Sequence, residues 1–84
     1  MASRVVFVIN PASGNGATGR AWRAIAGRIR DRIGDFGELY TTRPLEATQL
    51  ARRALEGGAD VVVAVGGDGT TNEVVNGFFD DRCR

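Results

Sequence analysis

Three glycines, Gly66, Gly67 and Gly69, surround a single acid, Asp68, at the end of an apolar β-branched run, and Thr70-Thr71-Asn72-Glu73 follow without a basic residue. An ordinary turn needs one glycine. Stacked glycines let a bulky anion lie directly on the backbone, and the free N–H groups of a helix beginning at Thr70 would face it. A carboxylate in such a loop repels phosphate unless it coordinates magnesium or takes a proton from an attacking hydroxyl. Asp68 therefore has a place in a site that transfers a phosphoryl group. The plainer alternative is that Asp68 caps the following helix, which accounts for the acid but not for the glycines. Asn72 and Glu73 read equally as site residues or as the polar first turn of a helix. Gly67 is expected to need either a positive φ or backbone contact with phosphate.

A second glycine-rich stretch, "NPASGNGATG" from Asn10 to Gly19, follows the first apolar run. Gly14 and Gly16 can take positive φ and bring the backbone close to an anion, while Asn10 and Ser13 offer side-chain donors. Gly14, Gly16 and Gly19 also spell the dinucleotide pattern G-x-G-x-x-G. That match is weak, because Asn-Pro-Ala-Ser separates strand from glycine and no acid ends the second strand. Thr42, before Pro44, reads on its own as a helix cap.

Composition removes several chemistries. All 11 basic residues are arginine, against 10 acids, and there is neither lysine nor histidine. A Walker lysine, a Schiff-base lysine, a histidine base and a histidine metal site are excluded, and near-neutrality gives no reason to expect nucleic acid as partner. Cys83 is alone, so no disulfide framework or cysteine-rich zinc site is expected. The N-terminal apolar run is too short for a signal peptide or a membrane span, which reads as cytoplasmic.

The elements that must position these loops alternate regularly. Arg4 to Ile9 reads as a strand buried on both faces. A helix follows with Trp22, Ile25, Ala26, Ile29 and Ile33 on one face, arginines around the rest, and Gly34 as its stop. Gly37 to Thr42 forms a weaker strand. Pro44 then opens a helix with Ala47, Leu50, Ala51, Ala54 and Leu55 on one face, closed by Gly57-Gly58. Asp60 to Val65 is the third strand, and the last helix carries Val74, Val75, Phe78 and Phe79. The β-α-β-α-β-α alternation implies an α/β fold, three layers (α/β/α) about a parallel sheet. If the loops after strands one and three share one ligand, those strands are neighbours and the order is 2-1-3.

With "NPASG" after strand one and "GGDGTTNEVVNG" after strand three, the chain resembles the catalytic domain of diacylglycerol kinases and the bacterial lipid kinases related to sphingosine kinase. The shorter GGDGT core is shared with NAD kinases. The resemblance implies an ATP-dependent lipid kinase that uses magnesium and moves the γ-phosphoryl to a lipid hydroxyl. It implies that Asn10, Pro11, Ser13, Gly14 and Gly16 lie at the ATP phosphates, that Thr42 contacts nucleotide, and that Gly66, Gly67, Asp68, Gly69, Thr70, Thr71, Asn72 and Glu73 form the nucleotide and catalytic loop. Asp68 is then the base for the lipid hydroxyl or part of a magnesium and water network. Arg43 stands where an acid is common in the family, and Leu45-Glu46 where Gly-His or Gly-Asp is frequent.

By the same resemblance, residues 1–84 are the first half of the Rossmann-like ATP-binding domain, without the β-rich lipid-binding domain. The chain alone is then expected to be inactive. The complete enzyme would take a lipid such as diacylglycerol and touch a membrane peripherally. The uncovered edge of strand three would favour a homo-oligomer. The rival readings are an NAD kinase-like enzyme and a non-catalytic nucleotide-binding or assembly fragment.

Overall fold

A computed structural model describes residues 4–78. The elements run β1 (Val5–Ile9), α1 (Ala17–Ile33), β2 (Gly37–Tyr40), α2 (Glu46–Glu56), β3 (Val61–Val65) and α3 (Asp68–Gly77). The three strands form one parallel sheet in the order β2-β1-β3. Val6 to Ile9 pair with Gly37 to Tyr40, and Val5 to Ile9 with Val61 to Val65. This is the expected alternation and the expected order.

The order explains the layers. The connection from β1 to β2 and the connection from β2 to β3 cross the sheet in opposite directions, so two crossovers of one hand lie on opposite faces. Alternation along β1 divides the core accordingly. Phe7 and Ile9 pack with Trp22 of α1, joined by Ala26, Ile29 and Phe36. Val8 points the other way, to Ala47, Leu50 and Ala51 of α2 and Val74 of α3. Phe7, Trp22 and Phe36 stack with ring centroids 4.7 to 5.8 Å apart. The central strand is therefore buried on both faces, as its unbroken apolarity requires.

Several expectations are corrected. Each strand is shorter than expected, β1 starting at Val5 rather than Arg4, β2 ending at Tyr40 rather than Thr42 and β3 starting at Val61 rather than Asp60. Ile25 and Ile33 are 42% and 52% exposed, because α1 turns only Trp22, Ala26 and Ile29 onto the sheet. Val75 and Phe78 are also exposed. Pro44 does not open α2. Leu45 sits at φ 69°, ψ −2°, the values of the third residue of a type II turn, and the helix begins only at Glu46. Phe79 and Cys83 lie outside the described residues. Gly34 does stop α1, at φ 83°, with its N–H donating to the Arg30 carbonyl.

α2 and α3 approach unusually closely at Gly77. A Cβ there would lie 2.6 Å from the Thr48 carbonyl oxygen and 2.8 Å from the Ala51 Cβ. Glu73 strengthens the same contact. Its carboxylate accepts the Ala47 N–H at 3.3 Å, and its carbonyl accepts the Thr48 hydroxyl at 2.8 Å.

Candidate functional site

The loops after β1 and β3 meet at the carboxyl edge of the sheet, where they diverge to helices on opposite faces. This divergence is the switch point at which open α/β sheets bind ligands. Asn10 joins the two loops. Its N–H donates to the Val65 carbonyl at 2.9 Å, and its Nδ2 to the Thr70 hydroxyl at 3.2 Å. Its Oδ1 accepts the Ala12 N–H at 3.2 Å, which turns the chain after the strand.

From Gly14 to Gly16 the backbone is left-handed throughout, with φ of 64°, 58° at Asn15, and 89°. The two glycines thus adopt the positive φ expected of them, and the Gly16 N–H closes the turn by donating to the Ala12 carbonyl at 3.1 Å. Pro11 serves a different purpose. Its carbonyl accepts the Gly19 N–H, and a Cβ on Gly19 would lie 3.0 Å from that oxygen. The third glycine of the G-x-G-x-x-G spacing therefore seats α1 against the loop.

In the third loop, α3 begins at Asp68, two residues before the expected start. Thr70 does not open the helix. It is buried in the first turn, with its hydroxyl held by Asn10. Gly66 is glycine because Thr70 folds over it: a Cβ at Gly66 would be 2.5 Å from the Thr70 hydroxyl oxygen. Gly67, at φ −89°, has no positive φ to explain it, and a Cβ there would lie 3.3 Å from the Ser13 hydroxyl oxygen. Ser13 and Gly67 thus bring the two glycine loops together. Gly69 borders open space.

Asp68 is exposed in the first turn of α3, and no side chain caps that helix. Among the described residues its carboxylate has no hydrogen-bond partner. The capping explanation for Asp68 therefore has no contact behind it. A carboxylate there gains from the helix dipole and remains available to a ligand. Thr71 reaches back to the Gly67 carbonyl at 3.4 Å, and Asn72 is exposed.

The second loop supplies the far wall. Asn10, Thr42, Arg43, Gly69, Thr70 and Glu73 line a recess of about 320 Å³. Thr42 does not cap α2. Instead Glu46 reaches back one turn to accept the Thr42 N–H at 2.6 Å and its hydroxyl at 3.0 Å. These hydrogen bonds, with Arg43 nearby, hold the Glu46 carboxyl below the ordinary glutamate range. Glu73 faces the recess while its carboxylate sits on the N-terminus of α2, so the dipole it complements is not that of its own helix. Asn10, Thr42, Gly69, Thr70 and Glu73 therefore share one recess, with Ser13, Gly67 and Asp68 beside it. Arg43 and Glu46 escaped sequence reasoning as site residues, although the four-residue spacing of Thr42 and Glu46 was a readable signal.

A second recess of about 330 Å³ lies at the amino end of the sheet, between Val6, Leu39, Leu50 and Ala54. It is mainly apolar, with Arg4 and Arg53 also in its lining. On the α1 face, Glu38 accepts from Tyr40, from Arg30 at 2.9 Å and from the Trp22 Nε1 at 3.1 Å. These bonds, that from Tyr40 foremost, lower the Glu38 carboxyl, while the bond to Glu38 raises the Tyr40 hydroxyl. Among the described residues no three His, Cys, Asp or Glu side chains cluster to hold a metal, and no helix is long and apolar enough to cross a membrane.

Comparison with known proteins agrees with this geometry. Residues 4–84 match the family model of the diacylglycerol kinase catalytic domain. The chain is 37% identical over 85 residues to a diacylglycerol kinase of Staphylococcus saprophyticus, covering 100% of this chain and 28% of that protein. It is 40% identical over 83 residues to one of Staphylococcus haemolyticus, covering 98% of this chain and 24% of that protein. A solved diacylglycerol kinase structure from Bacillus anthracis str. Sterne superposes with a TM-score of 0.75 at 27% identity, covering 89% of this chain and 27% of that one. The chain spans about a quarter of the length of the curated relatives it matches. On the strength of the matched residues and the shared 2-1-3 sheet, the chain belongs to the diacylglycerol kinase catalytic domain family.

Proposed function

We propose that the carboxyl edge of this sheet binds ATP, and that the complete protein transfers the ATP γ-phosphoryl to a lipid hydroxyl. The observation that carries the reading is the exposed, uncapped Asp68 where the two glycine loops converge. A loop that only bound phosphate would do better without this charge. A loop that activates a hydroxyl, or holds the cation accompanying the phosphates, requires it.

The residues present fit a polyphosphate. The N–H groups of Gly14 and Asn15 and those at the N-terminus of α3 are available to an anion, and Gly69 leaves room for close approach. Ser13, Asn10 and Thr42 border the same edge, where Thr42 would meet the nucleotide. Magnesium commonly takes one or two carboxylates and the substrate phosphates, a role for which Asp68 is placed. When bound, it would supply charge neutralisation to the transferring group. Asp68 would otherwise accept the proton of the lipid hydroxyl as its oxygen attacks phosphorus and the bond to the leaving ADP oxygen breaks. Thr70, folded over Gly66 and bonded to Asn10, ties the first turn of α3, which carries Asp68, to the end of β1.

The test is Asp68→Asn in a complete protein carrying this segment. Turnover on diacylglycerol should fall about a hundredfold or more, as for loss of a proton-transfer group, while ATP affinity changes little. Turnover that survives the substitution nearly intact sinks the assignment.

A further inference from the structure

The wall of the recess that follows β2 carries a charge which the proposed reaction leaves unused. Among the described residues, Arg43 is the one cation in the lining of that recess, with Gly69 and Thr70 of α3 and the acid Glu73 also in it. The Arg43 side chain is exposed, and its guanidinium has no ion pair or hydrogen bond among the described residues. Arg43 also stands where an acid is common in the family, so the charge at this position is inverted in this chain.

The backbone on both sides of Arg43 is fastened. Before it, the Thr42 N–H and hydroxyl both donate to Glu46, at 2.6 and 3.0 Å. After it, Pro44 and Leu45 form the middle of a type II turn, with Leu45 at φ 69°. Glycine takes that place without strain, and leucine does not. Leu45 is 71% exposed, so its side chain gains no burial to offset the strain. A strained residue that buries nothing points to a turn whose shape matters for what it carries. Of the two charged residues in this turn, Glu46 is already bonded to Thr42. Arg43 is the one left to meet something else.

We propose that Arg43 contacts a phosphate of the bound nucleotide from the wall facing α3. The inference rests on the nucleotide reading of this recess and names a residue that the reading does not need. Charge complementarity selects the ligand. The first turn of α3 presents the positive end of a helix dipole, with open space at Gly69. A guanidinium across from that end is repelled by it unless an anion lies between the two. A phosphate satisfies both walls, accepting N–H groups of α3 on one side and the guanidinium fork on the other. Asp68 and Glu73 add negative charge to the same edge, which a bound polyphosphate must overcome. In a chain without lysine, an arginine is what can offset it.

The experiment is calorimetric titration of a complete protein carrying this segment, and of its Arg43 variants, with ATP, inorganic tripolyphosphate and adenosine. Arg43→Gln should weaken ATP and tripolyphosphate about ten- to a hundredfold, as for loss of a charged hydrogen bond, and leave adenosine unchanged. Arg43→Lys should fall between the two, because an ammonium keeps the charge but not the fork. The variants should melt with the parent, since the side chain is exposed. Equal ATP affinity with and without Arg43 would overturn this proposal and leave the kinase reading standing. An equal loss for adenosine would move Arg43 to the base, and a loss for tripolyphosphate alone would assign it to a phosphate other than that of the nucleotide; either result overturns the proposal. A parent protein that binds no ATP would remove the kinase reading and this inference together.

Discussion

Replacing Gly77 with alanine tests the close approach of α3 to the α2 backbone. The new Cβ would lie 2.6 Å from the Thr48 carbonyl oxygen and 2.8 Å from the Ala51 Cβ, and the main-chain oxygen cannot swing aside as a side chain could. α3 must therefore move off α2, and the bonds from Ala47 and Thr48 to Glu73 stretch with it. Overpacking costs about 1–3 kcal/mol, and a main-chain obstacle places this case near the upper end. Alanine returns at most about 1 kcal/mol through its helix propensity. The net loss is about 2 kcal/mol, which in a domain this small lowers the melting temperature by about 8–16 °C. Gly27→Ala supplies the control, because a Cβ at this exposed helical position meets nothing within 4 Å. The same chemical change there should raise the melting temperature slightly. Thermal unfolding followed by circular dichroism reads both. If Gly77→Ala melts at or above the parent while Gly27→Ala behaves as expected, the close α2–α3 approach is wrong.

Gly66→Ala should displace Thr70 and with it the Asn10 bond, weakening ATP binding about five- to tenfold by calorimetry; unchanged affinity would show that this support does not matter. Glu38 has its carboxyl held below the ordinary 4.5, so its contribution to stability is complete above that value and is lost as pH falls through the lower folded value. Glu38→Gln should accordingly flatten the loss of stability below about pH 4.5, and an unchanged acid-unfolding profile would contradict the Tyr40, Arg30 and Trp22 bonds. Among the described residues β3 is an edge strand, with an apolar sequence and an exposed Val61, so the 84-residue chain should self-associate; a monomer at high concentration in sedimentation equilibrium would refute this.

The strand order and both glycine loops were readable because each rests on a local signal. Unbroken Val and Ile runs imply strands buried on both faces, and two phosphate-type loops imply adjacent strands. The helix starts were less readable. Nothing in "TTRPLEA" announces that Leu45 will turn left-handed, since a leucine at positive φ is held there by its surroundings and not by its own preference. Asp68 was expected just ahead of a helix because Gly-Asp-Gly reads as a turn, yet tertiary packing of Thr70 and Val74 draws it into the first turn. Glu73 and Gly77 could be assigned to a motif, but their contacts with α2 lie about 25 residues away in sequence and belong to the fold. The exposed isoleucines show the converse limit. Periodicity assigned Ile25 and Ile33 to the core face, which packs through Trp22, Ala26 and Ile29 and leaves both exposed.

Mechanically, α3 is a braced strut. Asn10 pins its first turn to β1, Glu73 clamps its middle to the start of α2, and Gly77 locks its far end against the α2 backbone. A strut held at three points cannot pivot about any one of them without breaking the other two. Asp68, at its tip, is thus fixed relative to the sheet, and this part of the molecule acts as a stationary jaw. On the proposed function, a closure over nucleotide would belong to the wall that opposes Asp68.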